Sequence, residues 1–220
     1  MIIRKLLISN RGEIASRIIR SAHDMGISCV AIYTEADINT PYVREADQAF
    51  KLSDTYLNAK EILEIAKKND VDAIHPGYGF LSENANFANS VKKAGIKWVG
   101  PSANAIKKMG DKLTAKTLAE KVGVPTLPMG TSSKDAKNIG YPILVKAAAG
   151  GGGKGMRIVE DARDLKESIA SAEREAEGGF GDKRVFLERY IERSRHIEVQ
   201  ILGDSHGNLV HLGERECSIQ

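Results

Sequence analysis

Ile2-Ile3-Arg4-Lys5-Leu6-Leu7-Ile8-Ser9, then Asn10-Arg11-Gly12-Glu13, then Ile14-Ala15-Ser16-Arg17-Ile18-Ile19-Arg20-Ser21-Ala22 is the stretch that decides the fold. The first run is a short apolar segment of strand length. Asn10 and Glu13 stand three residues apart, the spacing at which an Asn side chain and a carboxylate cap the first free N–H groups of a helix reciprocally. Ile14, Ala15, Ile18, Ile19 and Ala22 then fall on one helical face, and Gly26 supplies a stop before a second β-rich run, Ile27 to Tyr33. The reading is strand, helix, strand.

Working outward, the alternation repeats. Ala49 to Leu52 reads as extended, Asn58 to Lys68 as a helix with another Asn-x-x-Glu start, Val71 to His75 as extended, Glu83 to Ala94 as helical and Lys97 to Gly100 as extended. Strands separated by helices predict an α/β fold with a parallel sheet covered on both faces. One helical stretch is expected over Ala105 to Val122, with Pro125 and Pro128 marking an exit. Beyond Gly140 the texture changes to α+β. Ile143 to Ala147, Met156 to Val159, Val185 to Arg189, Ile197 to Leu202 and Leu209 to Leu212 are strand-like, Ala162 to Ala176 is helical, and Asp204 to Asn208 reads as a hairpin turn.

The 220 residues allow one large domain or two small ones, and 42% hydrophobic with 28% charged residues excludes disorder or a coiled coil as the dominant state. The net charge is +3 without a run of five like charges, so no nucleic-acid partner is expected, whereas a phosphate-bearing small ligand is allowed. Cys29 and Cys217 form neither a zinc spacing nor a disulfide framework. No stretch of about 18 apolar residues is available to span a bilayer. The expected compartment is cytoplasmic, with no membrane partner.

Chemistry concentrates in three places. Lys146-Ala147-Ala148-Ala149 leads into Gly150 to Gly153, Lys154, Gly155 and Met156. The glycines match G-x-G-x-x-G formally, but a strand follows where a dinucleotide site needs a helix. A Walker A reading fails because Gly155 stands where a hydroxyl should meet magnesium. What remains is a β-hairpin with backbone N–H groups free for phosphate oxygens and Lys146 adding charge, a lid over a nucleotide; a plain glycine linker is the alternative. The second place is His75-Pro76-Gly77-Tyr78-Gly79-Phe80-Leu81-Ser82-Glu83-Asn84, a loop at the carboxyl end of a parallel strand, where α/β proteins place ligands. Equally, Tyr78 and Phe80 could cap the sheet and Glu83 favour a helix start. The third is Glu188-Arg189-Tyr190-Ile191 with Arg195-His196, where a strand end could present backbone groups to a purine and Glu188 accept from its exocyclic amine, or where charges are merely solvated.

Ser9 to Ala15, His75 to Asn84, Met109-Gly110-Asp111-Lys112, Lys146 to Met156 and Arg195-His196-Ile197-Glu198-Val199-Gln200 together resemble the biotin carboxylase family of ATP-grasp ligases, from end to end of the chain. The resemblance implies a Rossmann-like parallel-sheet domain over 1–111, a linker helix and exit over 112–130, an α+β ATP-grasp lid domain over 131–192 and the first strands of a third part over 193–220. It implies a reaction in which ATP with Mg2+ phosphorylates bicarbonate and biotin on a carrier protein captures the carbon dioxide. A carboxyltransferase takes the carboxyl group onward to an acyl-CoA or pyruvate. A homodimer is also implied, and the Arg17 and Arg20 face of the first helix is expected to contribute to it.

By the same resemblance Lys112, Lys146, Gly152, Gly153, Met156, Glu188, Arg189, Tyr190, Ile191, His196 and Gln220 are ATP contacts, and Tyr78, Gly79 and Glu83 lie near biotin. The family's bicarbonate lysine, magnesium carboxylates and biotin arginine are expected beyond Gln220, so the chain reads as an amino-terminal fragment with no catalytic or metal residue of its own. A non-catalytic nucleotide-binding module and another ATP-grasp carboxylate ligase are the competing readings. Two structural expectations follow from truncation and from the short Pro125 to Gly140 connection. The small helix before the lid is reduced or lost, and the strands from Val185 onward lack partners.

Overall fold

The computed structural model describes residues 2–149 and 156–219, and the chain divides into two compact units, Met1–Lys108 and Met109–Gln220. In the first unit the elements alternate as the periodicity requires: β1 (Lys5–Ile8), α1 (Gly12–Asp24), β2 (Ser28–Tyr33), α2 (Pro41–Glu45), β3 (Gln48–Lys51), α3 (Ala59–Lys68), β4 (Ala73–His75), α4 (Ala85–Lys93), β5 (Lys97–Trp98) and α5 (Ala103–Gly110). The five strands are parallel in the order β3-β2-β1-β4-β5.

Alternation along each strand feeds two cores. Leu7, Val30, Ile32 and Ile74 point to one face, where Ile62 and Ala66 of α3 and Phe87, Ala88 and Val91 of α4 cover them. Leu6, Ile8, Cys29, Ala31 and Ala73 point to the other, beneath Ala15, Ile18, Ile19 and Ala22 of α1 and Tyr42 of α2. A sheet apolar on both faces leaves its strand ends as the only place for polar chemistry.

The second unit runs α6 (Lys112–Lys121), β6 (Met129–Gly130), α7 (Ala136–Ile139), β7 (Ile143–Ala147), β8 (Arg157–Val159), α8 (Leu165–Phe180), β9 (Val185–Arg189), β10 (Ile197–Gly203) and β11 (Leu209–Glu216). An antiparallel sheet of order β6-β9-β7-β8 buries Ile143, Val145, Val159 and Leu187 with Leu165 and Ala172 of α8. The β10–β11 hairpin is a separate two-stranded sheet with exposed Val199, Leu202, Leu209 and Leu212. No helix among the described residues is long and apolar enough to cross a membrane.

Several local expectations are corrected. Asn10 does not cap α1: its Nδ2 donates to the carbonyls of Pro76 and Tyr78, both at 2.7 Å, and its Oδ1 accepts from the Arg11 N–H. Carbonyls of another loop thus claim the amide, and α1 starts behind Arg11 without a side-chain cap. Asn58 does cap α3 as its spacing predicts, accepting from Glu61 N while its own amide donates to the Glu61 carboxylate. The helix expected from Glu83 begins at Ala85, because Asn84 accepts from Phe87 N and is the cap. The helix expected over Ala105 to Val122 is two, broken where Asp111 accepts from Thr114 N at 2.8 Å and starts α6 afresh. The Pro125 to Gly140 connection keeps α7, preceded by a 3-10 turn at Ser133–Asp135 and held by the Asp135 carboxylate, which accepts from Thr131 N, Ser132 N and Ser132 Oγ. Finally, Val185–Arg189 is not unpaired: β9 lies between β6 and β7.

Phe87 is 1% exposed and meets the Trp98 ring edge-on at 5.6 Å. Phe87→Ala should cost about 3 to 5 kcal/mol. Urea unfolding followed by the fluorescence of Trp98, the one tryptophan of the chain, measures the cost.

Candidate functional site

In the first unit the strand order reverses its direction of growth between β1 and β4, the point at which open parallel sheets form a crevice beyond their carboxyl ends. The loops that leave these two strands are stitched together there. Besides the Asn10 amide described above, Tyr78 Oη hydrogen-bonds Glu13 on α1. Gly77 has φ +62° and sits so close to Asn10 that a Cβ would lie 2.7 Å from Nδ2, which is why glycine occupies the position.

Neighbouring loops are tied in by a buried polar chain. Asp37, 2% exposed, accepts from Arg11 Nε at 2.7 Å and from Tyr56 Oη at 2.5 Å, and the Tyr56 and Tyr42 hydroxyls lie 2.8 Å apart. The hydrogen bond from Arg11 holds the Asp37 carboxyl below the usual range against the opposing effect of burial. The Tyr56 ring in turn packs against Phe80, centroids 5.2 Å apart. Arg11, Asp37, Tyr56 and Phe80 thus link the loops that follow β1, β2, β3 and β4.

His75, at the end of β4, accepts from the Gly77 N–H through Nδ1 at 3.0 Å, which assigns the ring proton of the neutral form to Nε2. Burial first, and then the positive charge of Arg17, pushes its pKa below 6.5. Tyr78 is 60% exposed, and Gly79 and Glu83 are exposed too, so these expected biotin neighbours lie on the open side of the loop.

In the second unit Lys146 and Glu188 meet across β7 and β9, with Lys146 Nζ 2.9 Å from Oε2. The other carboxylate oxygen is taken by Lys116 of α6, a residue the sequence reading passed over. The available signal was its position one helical turn after Lys112, which puts both amines on one side of α6. Lys112 itself directs Nζ to the carbonyl of Ala147 at 3.1 Å. Burial, then the charge of Lys146, pushes the Lys112 pKa down.

Burial acts to raise the Glu188 pKa, but hydrogen bonds from Lys116 and Lys146 outweigh it and hold the carboxyl below its ordinary range. The carboxylate expected to meet a purine amine is therefore engaged by two lysines. Two ammonium groups on one carboxylate, with that of Lys112 beside Lys146 on the Ala147 carbonyl, leave a surplus of positive charge beside the end of β7, an arrangement that suits a polyanion.

Other expected contacts take the following places. Arg189 closes β9, its N–H donating to Pro128 O and its guanidinium to Ile139 O. Tyr190 donates its N–H to Pro142 O, Ile191 is 43% exposed, and Met156, 42% exposed, immediately precedes β8. His196 leads into β10, its N–H donating to Ser218 Oγ at 3.0 Å. Gly152, Gly153 and Gln220 lie outside the described residues, as does the expected lid tip. The loop around Tyr78 belongs to the first unit and the lysine cluster to the second.

Among the described residues, one further group has metal-ligand chemistry. Ligand atoms of His23, Cys29 and Asp47 lie within 4.8 Å of one another. Asp47 Oδ2 already accepts from Cys29 N at 2.6 Å and faces His23 Nε2 at 2.9 Å. Burial, then Asp47, pushes the Cys29 thiol up to about 11. These contacts tie the start of β2 to the segment before β3.

Comparison with known proteins supplies a context for this geometry. A family model for the biotin carboxylase N-terminal domain matches residues 2–106, and one for the carbamoyl-phosphate synthase L chain ATP-binding domain matches residues 111–220. The chain is 47% identical to biotin carboxylase 1 of Bacillus subtilis, over 99% of this chain and 51% of that protein. It is also 47% identical to the mitochondrial methylcrotonoyl-CoA carboxylase subunit alpha of Dictyostelium discoideum, over 99% of this chain and 33% of that one. The biotin carboxylase domain dimer of Hydrogenobacter thermophilus 2-oxoglutarate carboxylase, solved with MgADP, ADP and bicarbonate, superposes with a TM-score of 0.94 at 44% identity, covering 100% of this chain and 51% of that one. The chain thus spans about a third to about half of the length of these relatives.

Two outcomes follow for the loop after β4. Gly77→Ala should destabilise the first unit by about 1 to 3 kcal/mol through the strained backbone and the displaced Asn10, read as a lower urea midpoint. Because the folded His75 pKa lies below the unfolded value of 6.5, its contribution is intact above that value and is lost as pH falls towards the folded pKa. His75→Asn, which keeps an acceptor for Gly77 N, should flatten the decline in urea midpoint between about pH 7 and 5.

Proposed function

The chain belongs to the biotin carboxylase family, and from that premise we propose that it carries the nucleotide-binding part of an ATP- and bicarbonate-dependent ligase that carboxylates biotin on a carrier protein. The observation that carries the reading is the pairing of Lys116 and Lys146 with Glu188, with Lys112 on the Ala147 carbonyl next to them, at the end of the strand that runs into the glycine-rich segment. Phosphates fit it: the ammonium groups outnumber the carboxylate, and Lys112 is already partly desolvated, so a contact to a phosphate oxygen there is less screened than one in open water.

In this reading Lys112 and Lys146 donate to phosphate oxygens, and Gly152, Gly153 and Met156 are further contacts to the nucleotide. Glu188, Arg189, Tyr190 and Ile191 form the adenine hinge through groups other than the Arg189 and Tyr190 N–H, which the Pro128 and Pro142 carbonyls already take, and His196 and Gln220 complete the nucleotide contacts. When bound, ATP supplies the phosphoryl group that activates bicarbonate. Tyr78, Gly79 and Glu83 lie towards biotin on an open loop whose shape Asn10 and Gly77 fix.

Mg2+ accompanies ATP in this proposal, but the described residues do not fit it by themselves. His23, Cys29 and Asp47 offer nitrogen and sulfur where magnesium takes oxygen, and both Glu188 oxygens face lysines. No ligand in this chain is therefore assigned to the ion. The partners are a biotin carrier, a carboxyltransferase and a second copy of the protein, with Arg17 and Arg20 lining a groove between α1 and α2 suited to that contact.

The test uses the protein as its gene encodes it. Bicarbonate-dependent ATP hydrolysis should rise on adding biotin, and its absence would rule the ligase reading out. Lys146→Ala should weaken ATP binding tenfold to about a hundredfold, as expected for one charge-assisted hydrogen bond. Unchanged affinity would show that Lys146 does not touch the phosphates.

A further inference from the structure

Lys116 and Lys146 hold the same carboxylate but are not equivalent. Lys116 Nζ also donates to the Leu127 carbonyl at 2.8 Å, and its side chain is 13% exposed. Lys146 Nζ has Glu188 as its one hydrogen-bond partner among the described residues, lies 5.8 Å from the Phe186 ring centroid, and is 25% exposed. Lys116 is thus anchored at two points, while Lys146 can turn on its stem towards an anion.

If Lys146 does so, Glu188, whose side chain is 12% exposed, loses one of its two counter-ions. A carboxylate that is buried and unpaired either takes up a proton or pulls its lysine back. The charged groups that face Glu188 are Lys116 from α6 and Lys146 from β7, with Lys112 of α6 beyond Lys146. On the other flank β6 pairs with β9 through Met129 and Gly130, which carry no ionisable side chain. Among the described residues only Lys116 can take over.

We propose that Lys116 is a positioning residue of the nucleotide site: it keeps the Glu188 carboxylate ionised and in place, so that Lys146 can give its ammonium to a nucleotide phosphate. This rests on the ATP-binding reading above. Lys116 itself touches no substrate in the scheme. Its effect appears as a proton count: nucleotide binding leaves Glu188 charged when Lys116 is present, and draws a proton onto Glu188 when it is not.

Titration calorimetry with MgATP on the full-length protein, repeated in buffers of different ionisation enthalpy, measures affinity and protons taken up together. Relative to wild type, Lys116→Met should bind about tenfold more weakly and take up an additional fraction of a proton approaching one, so that its affinity falls further as pH rises. Lys116→Arg should restore both values, and adding Glu188→Gln to Lys116→Met should abolish the extra uptake. If Lys116→Met does not fold, Lys116→Gln, which retains a donor for Leu127 O, is read in its place.

An unchanged proton count, with or without weaker binding, makes Lys116 a packing element and overturns this inference while leaving the ATP reading intact. Failure of the wild-type protein to bind MgATP instead removes the ATP reading, and this inference with it.

Discussion

A carboxylate buried to the extent of Glu188 stays ionised only with cations against its oxygens, and the second unit is organised around that requirement. It explains why α6 begins where it does. Asp111 stops α5 and restarts the helix, and the new register sends Lys112 towards the Ala147 carbonyl and Lys116, one turn later, to Glu188. It also explains the two faces of the sheet. Ile143, Val145 and Leu187 are buried with α8, while Lys146 and Glu188 alternate to the opposite face, where the helix delivers its amines.

The first unit answers to a different constraint. A parallel sheet apolar on both faces leaves only the strand ends for polar groups, and the central strands β1 and β4 end side by side. The loops emerging there are held by side chains rather than by regular structure. Asn10 bridges two carbonyls of the opposite loop, and the Arg11, Asp37 and Tyr56 chain anchors its flank. The result is a firm base under Tyr78, which remains exposed.

Much of this was legible in the sequence because it rests on local periodicity. The strand and helix alternation, the Asn58 cap, the hairpin at Asp204 to Asn208 and the family resemblance all come from neighbours in the chain. What escaped depends on partners far away in sequence. Asn10 looks like a helix cap until the Pro76 and Tyr78 carbonyls compete for its amide, and Glu188 looks like a free acceptor until lysines 72 and 42 residues away occupy it. Lys116 carried no motif, only a helical offset from Lys112. The split at Asp111 could have been read from an Asp three residues before Thr114, but the unbroken apolar pattern around it masked the cap.

The pairing of β1 with β4 has a consequence for biosynthesis. Lys5, at the start of β1, hydrogen-bonds Asp72, 67 residues further on. At roughly 5 to 20 residues per second of translation, that interval amounts to several seconds during which one edge of β1 has no partner. Ribosomal delivery, rather than the closing of any single contact, therefore sets the earliest moment at which this half of the molecule can complete its centre. A nascent chain halted before Asp72 exposes a strand made of Leu6, Leu7 and Ile8 along that edge, the kind of segment that chaperones shield.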